Sequence, residues 1–274
     1  MTTIAPDHIR TILFNRIPEV TLAFWVIKIL STTTGETAAD YLNDTVGLGL
    51  SLTTLITGVL LVLAVIAQFS TRRYTAGVYW TVVVLVSIVG TLLTDNLTDQ
   101  LGVPLWASTV LFTALLAITF GAWYARERTL SIHTVFSRRR EAFYWVAILF
   151  TFALGTAAGD LITEGLGLGY VFGTVLFAAL IGVIAIARFV FRANAVFCFW
   201  VAYILTRPLG ASMGDLLSQS PKDGGLGLGT TVTSVVFLLV IIASVVYLGV
   251  KVSRQRATAD IEAPVIELAP EPAS

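Results

Sequence analysis

The sequence predicts an all-α polytopic membrane protein, in which eight transmembrane helices form four parallel two-helix repeats with pseudo-symmetry along the membrane normal. Three observations predict this fold. Of the 274 residues, 56% are hydrophobic and 12% are charged, about half the charged fraction typical of soluble domains. Long apolar runs recur along the chain, whose mean hydropathy is +0.86. Within these runs, tryptophan, glycine and aspartate return at a fixed spacing.

Eight apolar runs, each about 20 residues long, are candidates for the transmembrane helices. They cover residues 22–42, 48–70, 76–96, 104–124, 142–162, 168–190, 195–217 and 228–250. The membrane domain is therefore expected at residues 22–250, after a cytoplasmic N-terminal segment, 1–21. The tail, 252–274, is acidic and rich in Pro and Ala, which predicts a disordered cytoplasmic segment.

Basic residues concentrate on one side of the predicted membrane. They occupy the connections that follow even-numbered spans and include Arg72, Arg73, Arg138, Arg139 and Arg140. The connections on the other side are acidic, with Asp44 and Asp99. The positive-inside rule therefore predicts that both termini lie in the cytoplasm.

A four-fold internal repeat organises the apolar region. Trp25, Trp80, Trp145 and Trp200 each open an odd-numbered span. Ten residues later comes Gly35, Gly90, Gly155 or Gly210, and fifteen residues later comes Asp40, Asp95, Asp160 or Asp215. Chance does not align twelve residues in this way. The repeats cover approximately 22–75, 76–127, 141–192 and 195–251, and each contains two spans, so all four have one orientation.

With this motif the chain resembles a bacterial membrane-protein family defined by four tandem two-helix repeats, each with a tryptophan. The resemblance covers roughly residues 20 to 250. It implies the architecture described above and a location in the inner membrane of a bacterium. Because that family is catalogued as having unknown function, the resemblance implies no substrate and no catalytic residue.

The repeated glycine predicts where the odd-numbered helices pack. A small residue follows each glycine four positions later, as Ala39 follows Gly35. This small-xxx-small pattern lets helices approach closely in lipid. We therefore expect the four odd-numbered helices to pack together and the even-numbered helices to face lipid. The tryptophans are expected to act as interfacial or packing anchors.

Next to the glycines lies a polar stripe, because residues three and four apart share a helix face. It contains the four aspartates together with Glu36, Thr91 and Thr156, each of which lies eleven residues after its tryptophan. Lys28 and Arg207 enter the same helices nearer the cytoplasmic end. Ionisable groups at such depth face the bundle interior and pair with one another. We expect Lys28 and Arg207 to serve as countercharges or as an inner gate.

These residues predict a secondary transporter or channel for a hard cation or a proton-coupled solute. Four converging carboxylates need a partner, and an all-oxygen site suits a proton or a divalent cation held by Asp40, Asp95, Asp160 and Asp215. No cofactor other than such a cation is expected. The partners are then the lipid bilayer and a small cation or proton. A homo-oligomer is compatible with the sequence, whereas nucleic-acid binding is not indicated.

A second interpretation stays open at this stage. The aspartates could be solvated residues that end the helices, and the protein would then be a non-transporting membrane scaffold or sensor. The sequence contains no nucleophile elbow, metal-hydrolase motif or nucleotide-binding motif, so we do not expect an enzyme.

Overall fold

Long helices dominate the computed structural model of the chain, which describes residues 15–267. The helices are α1 Leu22–Asp40, α2 Gly49–Ser70, α3 Ala76–Asp95, α4 Leu105–Glu127, α5 Arg138–Asp160, α6 Gly169–Phe189, α7 Ala195–Ser218 and α8 Thr230–Glu267. The described part of the chain contains no β-strand. The all-α prediction is confirmed.

Three of the odd-numbered helices begin at a polar N-cap residue that the sequence supplies just before the apolar run. Thr21 accepts a hydrogen bond from the Phe24 amide, and Ser137 accepts one from the Arg140 amide. The Asn194 side chain accepts from two amides at the start of α7. Such caps satisfy backbone donors that have no partner within the helix, and they fix where each inner helix starts.

Seven helices are long and apolar enough to cross a membrane. They are Gly49–Ser70, Ala76–Gln100, Leu105–Glu127, Arg138–Gly165, Gly169–Phe189, Ala195–Ser218 and Thr230–Gln255. The predicted first span is also a helix, α1, but it does not reach the same apolar content because Lys28, Glu36 and several threonines interrupt it. The chain is thus a helical membrane protein with seven helices of spanning length and composition and an eighth, more polar helix.

The helices form an inner and an outer ring. Neighbouring inner helices pack in the order α1–α3, α3–α5, α5–α7 and α7–α1, so the inner ring closes on itself. Each outer helix packs on the inner helix of the next repeat: α2 on α3, α4 on α5, α6 on α7 and α8 on α1. In α3, 67% of the most apolar window is buried, against 11% in α2. The odd-numbered helices therefore form the core, as expected from their glycines.

Three inner helices change their winding directly after the aspartate of the motif. Single π-helical turns follow at Tyr41–Thr45, Asn96–Gln100 and Leu161–Gly165. The fourth inner helix, α7, instead ends at Ser218. π-Helical turns are rare and are found frequently at functional sites. The end of the inner bundle where the aspartates lie is therefore a candidate functional site.

The last helix extends beyond the predicted span. Helix α8 continues through residues 252–267, which belong to the tail predicted to be disordered, while 268–274 lie outside the described residues. Ala, Arg and Gln, which recur just after the apolar run, are good helix formers, and they continue the helix where the apolar pattern stops. Of the predicted N-terminal segment, residues 1–14 also lie outside the described part.

Candidate functional site

The repeated glycines lie where neighbouring inner helices touch. Gly35 of the first repeat faces Ser87 of the second, and Gly90 of the second faces Phe152 of the third. The same contact joins Gly155 to Arg207, and Gly210 back to Thr32 of the first repeat. All four partners lie seven residues after their own tryptophan. A Cβ atom on Gly90 would lie 2.6 Å from the Cβ of Phe152, so each contact depends on the absence of a side chain.

This packing brings Arg207 to the middle of the inner bundle. Its side chain is completely buried, and its guanidinium donates hydrogen bonds to all three other inner helices. Nη1 donates to the backbone oxygen of Thr32 at 2.9 Å, and Nη2 donates to Glu36 Oε2 at 2.6 Å. Nη2 also donates to Thr156 Oγ1 at 2.7 Å and to Thr91 Oγ1. Arg207 therefore connects the four inner helices at one level.

Three of the residues predicted on the polar stripe meet at this arginine. Glu36, Thr91 and Thr156 occupy equivalent positions, and the fourth equivalent residue is Ala211, in the helix that carries Arg207. The Thr91 hydroxyl also donates to Glu36 Oε2 at 3.2 Å. The buried ion pair of Arg207 and Glu36 thus has hydroxyl partners, which is the arrangement that an ion pair in low dielectric requires.

The four aspartates lie one helical turn beyond this cluster, at the end of the bundle where the π-helical turns follow. Electrostatic interactions link Asp40 to Asp95, Asp95 to Asp160, Asp160 to Asp215, and Asp215 to Asp40. Asp215 is buried and the other three are partly exposed. Among the described residues, none of the four carboxylates forms an ion pair or a hydrogen bond. The aspartates therefore face a common region without a countercharge in direct contact.

The side chains at this end do not form a metal site in the described residues. Among the side chains that the structure describes, no three His, Cys, Asp or Glu residues lie close enough together to hold a metal ion. The predicted divalent-cation site at the four aspartates therefore stays a prediction. The arrangement offers three partly exposed carboxylates and one buried carboxylate on the four inner helices, which is chemistry suited to proton exchange as well as to loose cation binding.

Lys28 lies further from the aspartates than Arg207 does, and its environment is aromatic. It is completely buried, and its Nζ lies 3.8 Å from the ring centre of Phe152 and 4.3 Å from that of Tyr203. Its ammonium group has no hydrogen-bond partner in the described part of the chain. The two rings supply cation–π contacts, and the expected role of Lys28 as a countercharge or an inner gate stays a prediction.

Aromatic side chains close the other end of the inner bundle. The residue before each tryptophan is aromatic and buried: Phe24, Tyr79, Tyr144 and Phe199. The Tyr79 and Tyr144 hydroxyls are 2.5 Å apart, and the Phe24 and Phe199 ring centres are 6.2 Å apart. The axis of the bundle is therefore acidic and partly exposed at one end and aromatic and closed at the other.

The tryptophans pack into this aromatic end. Trp80, Trp145 and Trp200 are buried, whereas Trp25 is partly buried. The Trp80 indole donates to the Tyr74 hydroxyl at 3.1 Å, and the Trp200 indole donates to the Leu130 backbone oxygen at 3.0 Å. Their environment is that of packing anchors.

Sequence reasoning missed a second buried carboxylate. Glu141 is completely buried at the start of α5, where it accepts hydrogen bonds from Arg16 at 2.5 Å and from the Gln68 amide at 2.8 Å. This cluster joins the segment before α1 to helices α2 and α5. The only signal in the sequence is an acid within the basic run before the fifth span.

The fold and the site define an integral membrane protein, with an inner helical ring that carries ionisable residues from all four repeats. Comparison with family models places it further. The family described as a repeat of unknown function (DUF347) matches residues 23–74, 78–129, 143–194 and 198–251, and the chain belongs to this family. The matched boundaries confirm the four tandem repeats. No curated protein and no solved structure matches the chain.

Proposed function

We propose that the protein is a secondary transporter or channel for a hard cation or for a proton-coupled solute. The observation that supports this is the position of Arg207, which is bonded to groups of all three other inner helices beside four carboxylates without a countercharge in direct contact. Ionisable side chains are costly in a membrane, and they mark ion pathways or proton relays. The aspartates provide the entrance, and the Arg207–Glu36 pair forms the barrier.

Eight membrane spans and cytoplasmic termini in a bacterial inner membrane are part of this proposal. Helix α1 is suited to be the eighth span because its polar side chains point into the bundle. Lys28, Thr32 and Thr33 are completely buried, and Glu36 is 6% exposed. Lipid would therefore not meet these groups. The proposed orientation follows from the arginine-rich connections, and the four repeats would surround an axis along the membrane normal.

Flux measurements in proteoliposomes test the transport proposal. A vesicle-trapped pH dye reports proton movement, and dyes for Mg²⁺, Mn²⁺ and Ca²⁺ report the cations. The variant Asp160→Asn, Asp215→Asn is expected to lose most of the flux of the wild-type protein. Asp99→Asn is the matched control, because Asp99 is an exposed acid beyond the ring. Equal flux in the wild type and the double variant, or no flux above empty vesicles, would contradict the proposal.

A non-transporting scaffold or sensor is the second candidate. It is favoured by the hydrogen bonds of Arg207, because a guanidinium bonded to three neighbouring helices is also an effective structural cross-link. The aromatic layer at the other end of the bundle is consistent with this candidate too. Absence of flux for every ion tested, together with loss of stability in the Arg207 variants discussed below, would favour it.

A further inference from the structure

An open cavity of about 550 Å³ lies at the basic end of the molecule, between the end of α4 and the start of α7. It is separate from the bundle axis. Its floor is aromatic: the Phe120 and Trp200 ring centres are 4.8 Å apart, and Trp200 is fixed by its hydrogen bond to Leu130. Tyr124 and Phe197 line its sides with 54% and 64% of their surface exposed. Apolar walls therefore continue from the bundle surface into the cavity.

The mouth of the cavity is positively charged. Arg128 lines it together with the polar residues Thr129 and Asn194. The acid next to Arg128 in the sequence, Glu127, is occupied by two other arginines, Arg139 at 2.5 Å and Arg140 at 2.7 Å. Among the described residues, Arg128 itself has no carboxylate partner. A cation without a countercharge thus stands above an apolar cavity, at the end of a helix of spanning length.

The equivalent place between α2 and α5 shows what such a junction holds when the chain fills it. There Glu141, four residues before Trp145, binds Gln68 and Arg16. Four residues before Trp200 the chain has Val196, which lines the open cavity instead. One junction therefore contains an internal carboxylate bound to an arginine. The other contains an arginine and no carboxylate, so it has the charge to accept an anionic group from outside.

We propose that this cavity binds a phospholipid with an anionic headgroup. The phosphate contacts Arg128 at the mouth, and an acyl chain lies along Phe120, Phe197 and Val201. Basic pockets between transmembrane helices have this combination of charge and apolar surface, and tyrosine and tryptophan favour the headgroup level. The site does not depend on whether the protein transports ions.

Native mass spectrometry on the delipidated, full-length protein tests the proposal, with dioleoyl phosphatidylglycerol, dioleoyl phosphatidylcholine and glycerol 3-phosphate as probes. Retention of phosphatidylglycerol over phosphatidylcholine is expected for the wild type. Arg128→Asn should lower that preference roughly fivefold, the value for one basic residue near a membrane surface. Asparagine suits this position because Arg128 has φ +56°, a conformation that asparagine tolerates.

Two further variants separate this site from general surface charge. Arg126→Asn removes a neighbouring exposed arginine that does not line the cavity, and it should leave the preference unchanged. Val196→Glu supplies the internal carboxylate of the equivalent junction, and it should lower the preference as Arg128→Asn does. The proposal would be overturned if the wild type retained both lipids equally, or if Arg126→Asn lowered the preference as much as Arg128→Asn. It would also be overturned if glycerol 3-phosphate displaced phosphatidylglycerol as well as the lipid itself does.

Discussion

Replacing Arg207 by methionine is expected to destabilise the inner bundle strongly, because the substitution strands the Glu36 carboxylate. Arg207 is completely buried, and Glu36 is only 6% exposed. Removing one partner of a buried ion pair costs about 3–5 kcal/mol. Neutral hydrogen bonds between membrane helices contribute about 0.6 kcal/mol on average. The stranded charge, and not the lost contacts to Thr91 and Thr156, should therefore dominate the loss of stability. We expect the free energy of unfolding to decrease by about 3 kcal/mol.

A double-mutant cycle isolates the ion pair from these other contacts. The proteins are the wild type, Arg207→Met, Glu36→Gln and the double variant, unfolded with SDS in mixed micelles. The double variant contains neither buried charge, so it should lose less stability than the sum of the single variants, by about 2 kcal/mol or more. Arg139→Met serves as the control. Arg139 is 65% exposed in its ion pair with Glu127, and such a pair contributes at most about 1 kcal/mol.

Additivity within about 0.5 kcal/mol would refute this reasoning, because it would show that Arg207 and Glu36 do not interact. A loss in Arg139→Met equal to that in Arg207→Met would also refute it, since burial would then have no role.

Three other substitutions test the remaining features of the inner bundle. Gly90→Ala should lower the stability to thermal unfolding by about 1–3 kcal/mol, because the added Cβ would overlap Phe152. Gly121→Ala should leave the stability unchanged, because a Cβ there meets nothing within 4 Å. Equal effects of the two substitutions would show that Gly90 is not a packing contact. Lys28→Met should raise stability by about 1 kcal/mol in the same assay, because it removes a buried ammonium without a hydrogen-bond partner. A loss of stability would contradict this expectation, because it would show that the contacts with Phe152 and Tyr203 outweigh the cost of burying the charge. Glu141→Gln should lower the free energy of unfolding by roughly 3 kcal/mol and expose the chain near Arg16 to limited proteolysis. Thr113→Ala is the control, because Thr113 bonds only its own outer helix, α4, and this variant should leave the digestion pattern unchanged.

The framework of the inner bundle was predictable because it recurs four times. Tryptophan, glycine and aspartate keep their spacing in every repeat, so the sequence indicated which helices pack together and which face they use. Spans predicted from apolar runs match the helices to within a few residues, except at the ends of the basic loop and of α8. The repetition therefore made the packing of the inner helices predictable from a single sequence.

The contacts that occur only once were not predictable in the same way. Arg207 reaches Glu36 because the fourth repeat packs against the first, and ring closure of this kind leaves no mark on the spacing of residues. Lys28 lies two turns, roughly 12 Å, from Glu36 along α1. The Glu36 carboxylate is already bonded to Arg207. Arg16 lies outside the repeats altogether, so no periodicity connected it with Glu141.

The way the repeats differ explains why four of them are fused in one chain. Seven residues after the tryptophans the inner helices have Thr32, Ser87, Phe152 and Arg207, whereas the glycines and aspartates are the same in all four. Four identical subunits would place four arginines on the axis, where like charges in low dielectric repel strongly. A single chain can place one arginine against one glutamate and use hydroxyls for the remaining contacts. The invariant residues therefore build the ring, and the residues that differ make its charged centre compatible with a membrane.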